Sequence, residues 1–140
     1  MTLHPGIIRT TALDVEAIRT QAHQEGYVTF ALPASGIIDR ESFFNTIRAT
    51  LPLDPPLVSS RSWDALSDSL WEGLRSISNR RIAILWPNAR VMTYTASADF
   101  ELALNVLEDV ATSLSDPVLT SGNPKEVAVV VEIAGASRGS

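Results

Sequence analysis

Cysteine is absent from the sequence, which removes disulfides, thiolate nucleophiles and cysteine-ligated zinc or iron–sulfur centres. Histidine is scarce. His4 stands in an unpatterned start and His23 on the polar side of a short helical segment, and neither has a second ligand or a patterned carboxylate beside it. The seven glycines are too scattered for a phosphate cradle, because no G-x-G-x-x-G or Walker pattern follows a strand-like run. Positive charge is short as well: 11 Lys and Arg against 16 Asp and Glu give a formal net charge of -5 and a pI near 4.9, the wrong sign for a nucleic-acid binder. No apolar run approaches the roughly 20 residues that cross a bilayer, so no membrane span is expected. The start lacks the charged and then apolar pattern of a secretory leader, which makes a cytoplasmic address the expectation.

What the chain does have is core material. At 140 residues, 45% of them apolar and 19% charged, it can bury enough surface for one domain, and no internal repeat at periods of 20 to 50 residues suggests a solenoid. Residues 1–10 read as a poorly patterned lead-in. Leu13, Ala17, Ile18 and Ala22 fall at helical spacing up to Glu25, with Gly26 in the place of a C-terminal cap. Tyr27 to Leu32 reads as a strand stopped by Pro33. Asp39 caps a helix over Arg40 to Thr50, with Phe43, Phe44 and Ile47 as its buried stripe. Leu51 to Arg61 carries three prolines and must be irregular. Ser62 caps a helix from Trp63 to about Leu74 that buries Trp63, Leu66, Leu70 and Leu74. Arg81 to Trp86 is a mostly apolar strand ended by Pro87. The longest amphipathic helix runs from about Ala96 to Leu114, and Glu126 to Ile133 is the third strand. Short strands separated by helical crossovers make an α/β class with a small three-stranded parallel sheet, preceded by an extra N-terminal helix within residues 1–26 and followed by a frayed tail over 134–140.

Catalytic patterns are thin. Gly135-Ala136-Ser137-Arg138-Gly139 matches G-x-S-x-G literally, but a nucleophile elbow needs a following helix and triad partners that these residues do not supply. No nucleophile, base and electrophile can be assembled, so the chain reads as a non-enzyme without cofactor or metal. The informative segment is the helix after Ser62, where Asp64, Asp68 and Glu72 stack at i, i+4 and i+8 on the side away from the apolar stripe. Asp64 suits the first helical turn. Asp68 does not suit a helix interior, where aspartate has poor propensity and a like charge four residues away costs a few tenths of a kcal/mol. An exposed acidic face that accepts such a loss is a candidate binding surface. The proline-bearing loop before it would make loop and ridge one pre-ordered unit, able to offer carboxylates to a site of Arg, Lys and His side chains built for phosphate. A ribonuclease active site is of that kind.

The string Ser62-Trp63-Asp64-Ala65-Leu66-Ser67-Asp68-Ser69-Leu70 resembles the signature of the barstar family, bacterial intracellular inhibitors of secreted ribonucleases. The order of elements from Phe30 to Ile133 follows the family's, so the resemblance covers about residues 27–133, with 1–26 outside the minimal fold. It implies a three-stranded parallel sheet covered by helices, and an inhibitor that plugs a ribonuclease's substrate cleft one-to-one, without cofactor. By position, Asp64 and Asp68 match the two inhibitory aspartates. Val58, Ser60 and Ser62, with Arg61 between the last two, match the contact loop, Ser67 lies between the aspartates, Glu72 continues the ridge, and Asp109 on the long helix matches a third acidic contact. The sequence departs from the family pattern where Val58 and Ser67 replace aromatics and Ser60 replaces a glycine, which reduces the stacking part of the contact and leaves the cognate enzyme open. The resemblance therefore implies an immunity protein of a secreted or toxin-type ribonuclease with a basic cleft. The alternative is a non-inhibitory interaction module on the same fold.

Overall fold

Three of the helices begin where short polar side chains take up the first free backbone amides. In the computed structural model, which describes residues 1–133, α1 (Val15–Gln24) starts at Asp14, whose carboxylate accepts from Ala17 N at 3.1 Å. Helix α2 (Arg40–Thr50) starts at a reciprocal cap, Asp39 accepting from Ser42 N at 2.8 Å while Ser42 Oγ accepts from Asp39 N at 3.0 Å. Helix α3 (Trp63–Ser76) starts at Ser62, whose Oγ accepts from Ala65 N at 3.0 Å. Gly26 has a φ of +84° just past α1, the left-handed turn expected of it. Two further helices, α4 (Arg90–Thr95) and α5 (Ser97–Leu114), complete the helical set among the described residues. The tail 134–140 and the Gly135-Ala136-Ser137-Arg138-Gly139 match lie outside those residues.

The sheet has four parallel strands where the sequence suggests three. Strands β1 (Gly6–Thr10), β2 (Tyr27–Ala31), β3 (Arg81–Trp86) and β4 (Glu126–Glu132) stand in the order β1-β4-β3-β2. The additional strand is the lead-in: Gly6 to Thr10 pair residue by residue with Ala128 to Glu132. Its apolar content is only Ile7 and Ile8, and its partner lies more than 120 residues away, so local pattern conveys little of it.

Alternation along β3 and β4 builds two cores. Ile82, Ile84 and Trp86, with Val127, Val129 and Val131, face α2, α3 and α5. Phe43 packs on Trp86 at 5.1 Å between ring centroids, and Phe44 meets Trp63 edge-on at 4.9 Å. On the opposite face Ala83, Leu85, Ala128 and Val130 lie under Ile18 and Ala22 of α1. The small pair Ala83 and Ala128 stand in register within this second core. Because β1 and β2 are opposite edges of the sheet, α1 connects one edge to the other across this face. Residues 1–26 thus form part of the packed fold and are no appendage to it. Glu132 joins them to the remainder, accepting from Leu13 N at 3.2 Å and Asn88 N at 2.7 Å.

Candidate functional site

The loop before α3 is tied down at both ends. Asp54 N donates to Ser69 O of α3 at 3.0 Å, and the chain lies so close to the helix that a Cβ on Gly73 would sit 2.1 Å from Pro52 O. Further along, Arg48 of α2 donates to Ser59 O at 3.3 Å and Ser60 Oγ at 2.8 Å, while Arg61 N donates to Ser59 Oγ at 3.1 Å. Between these ties Val58 projects into solvent, 97% exposed. The loop is therefore ordered by hydrogen bonds and helix contact, and its prolines restrict it further.

On α3, Leu66, Leu70 and Leu74 are buried as expected and Trp63 is half-buried. Asp64 and Asp68 are exposed one turn apart, with no ion-pair partner among the described residues. Glu72 differs: it is half-buried and ion-paired with Arg75 three residues on. Hydrogen bonding from Arg75 holds its carboxyl below the usual range. Its charge is taken up within the helix, so the ridge ends at Asp68.

Asp68 and the exposed Asp109 of α5 come together around a groove of about 310 Å³, with Ser67, Trp71 and Leu119 in its walls. Val58, Ser60 and Arg61 line a second cleft, of about 630 Å³, with Arg40, Glu41 and Arg48. Ser62 serves as the α3 cap, and Asp64 lies on the exposed helix face between loop and groove. Of the sequence-based residues, Ser67, Asp68 and Asp109 therefore line one concavity and Val58, Ser60 and Arg61 the other, while Ser62, Asp64 and Glu72 line neither of the two. Sequence reasoning missed Trp71, Leu119, Arg40 and Arg48. Only the arginines left a local signal, eight residues apart on one amphipathic helix that flanks the loop.

The family model described as Barstar (barnase inhibitor) matches residues 27–133. The chain belongs to the barstar family. No curated protein and no solved structure was found to match it. The match begins at the first residue of β2, so β1 and α1 lie before the barstar segment in sequence, β1 extending one edge of its sheet and α1 packing on one face. Within that segment the carboxylates of Asp64, Asp68 and Asp109 can each offer oxygens to cationic groups of a partner. No group of three or more His, Asp and Glu side chains fit to hold a metal occurs among the described residues, and none of the helices there is long and apolar enough to cross a membrane.

Proposed function

We propose that this barstar-family chain is a one-to-one inhibitor, an immunity protein held in the cytoplasm of a bacterium against a secreted or toxin-type ribonuclease, and that it acts without cofactor or catalysis of its own. The carrying observation is that Asp64 and Asp68 stand on the exposed face of α3 without an ion-pair partner among the described residues, with Asp109 across the groove from Asp68. Carboxylates on a rigid helix need little ordering on binding. In a cleft lined by Arg, Lys and His they take the positions of phosphate oxygens. The loop from Val58 to Ser62 covers the rim beside them.

The test is inhibition of purified basic bacterial ribonucleases, followed for the wild type and Asp68→Ala. Stoichiometric inhibition by the wild type is expected, and the substitution should cost the complex about 3–5 kcal/mol, because a desolvated cationic cluster in the enzyme loses its partner. The free protein should melt at the same temperature or slightly higher, since alanine is the better helix former and repulsion with Asp64 is relieved. Undiminished inhibition by the variant would remove the active-site plug.

A further inference from the structure

The cleft on the other side of the loop carries the opposite charge. Arg40 and Arg48 of α2 and Arg61 of the loop line it together with a single carboxylate, Glu41. On a chain with a net charge of -5 this is a local positive surplus. Arg48 is half-buried, and its guanidinium donates to Ser59 O, Ser60 Oγ and Asn45 Oδ1. Those acceptors are all neutral, so they fix the group in place without compensating its charge. Among the described residues none of the three arginines is within ion-pair distance of an acidic side chain.

We infer that this cleft docks a carboxylate-bearing segment of the partner protein, which makes the binding side of the molecule dipolar: acidic along α3 and α5, basic beside the loop. Planar guanidiniums match carboxylates in a two-point geometry, and the serine hydroxyls of the loop supply further polar contacts. A nucleic acid fits the surroundings less well, because a long polyanion leaving the cleft meets Asp64 and Asp68 and the negative charge of the whole chain. The partner then carries an Asp- or Glu-bearing loop on the rim of its cationic cleft, and enzymes lacking that loop are discriminated against by leaving the arginines unpaired. That the partner is a ribonuclease rests on the function proposed above. Occupancy of the cleft by carboxylates does not.

The experiment titrates the isotope-labelled full chain with a capped tetraglutamate peptide, inorganic phosphate and a short oligoribonucleotide in parallel, read by NMR at the arginine side chains and the Ser59 and Ser60 amides. Saturable shifts confined to these groups are expected with the peptide in the low millimolar range, and Arg40→Gln/Arg61→Gln should weaken binding at least about tenfold, since two charge-assisted contacts are lost. Both side chains are exposed, so the variant should keep its fold, checked by its unchanged amide spectrum. No saturation, shifts elsewhere, full binding by the variant, or tighter binding of phosphate or oligoribonucleotide than of peptide would each overturn the inference. Failure of the chain to inhibit ribonucleases would instead strike the proposed function and leave this titration standing. In any ribonuclease that is inhibited, the same double variant should weaken inhibition, and an undiminished effect there would also count against a docked acidic loop.

Discussion

Removal of residues 1–26 leaves the whole segment that matches the family and still, by the geometry of the sheet, should not leave a stable protein. The deletion strips α1 and β1 from one face and one edge. Leu85 and Val130, each 0% exposed, would meet water, at about 1.5–3 kcal/mol apiece for side chains of that size. Ala83 and Ala128, also fully buried, add roughly 0.8 kcal/mol per methyl group. The loss, about 5 kcal/mol or more, is as large as the whole stability of many domains, roughly 5–15 kcal/mol. It omits the backbone groups of β4 that pair with β1, which would become an open edge prone to pairing with other chains. The chain from Tyr27 onward should therefore lose its cooperative thermal transition, bind hydrophobic dyes and elute as aggregates. Ala22→Arg offers a check at constant length, because it drives a charge into the contact of α1 with the sheet while leaving β1 in place, and it too should lower the melting temperature sharply. A truncated chain that melts cooperatively within about 3 °C of the full one, a shift worth on the order of 1 kcal/mol, would refute the reasoning.

Two further expectations concern the elements that hold the docking side in shape. Gly73→Ala forces a methyl group against the Pro52 carbonyl, so calorimetry should show a loss of about 1–3 kcal/mol, and amide shifts should spread through residues 52–60. Asp39→Ala removes the cap of α2 and should cost about 1 kcal/mol at neutral pH. The Ser42 amide, and then its hydroxyl, hold the Asp39 carboxyl below the usual carboxylate range. The stabilisation is therefore full above the ordinary aspartate value near 4 and fades as pH falls through the depressed one. Wild type and variant should converge in melting temperature under strong acid, and a gap that stays constant from neutral to strongly acidic solution would contradict that linkage.

How much of this was legible in sequence depended on whether the deciding physics was local. Asp39 and Ser62 announced α2 and α3 because a cap is made within four residues, and Pro87 announced the end of β3 because it cannot continue a ladder. Strand β1 was missed because its pairing energy resides in β4, at the far end of the chain. Helix α4 was missed because six residues burying only Met92 make too short a pattern to register. At the site, the period of α3 placed Asp64 and Asp68 outward correctly. The same period offered Glu72 as a third free carboxylate. Arg75, three residues on, competes for it, and that pair was readable from i, i+3 spacing. The cluster of Arg40, Arg48 and Arg61 was hidden by the net charge, since a sum over the chain carries no information about where opposite charges collect.

Glu132 has a consequence for where chemistry can reside on this fold. Open parallel sheets ordinarily take their ligands in the crevice beyond the carboxyl ends of the strands, and all four strands here end on that one rim. The carboxylate of Glu132 stands there and is taken up by two backbone amides of its own chain, while Asn88 bridges to the Ala34 carbonyl across the next gap. The recess left beside Trp86 and Pro87 is about 110 Å³, below the roughly 300–1,000 Å³ that a small-molecule site takes. Glu132 and Asn88 thus fill with the chain's own hydrogen bonds the rim where open parallel sheets ordinarily hold a ligand.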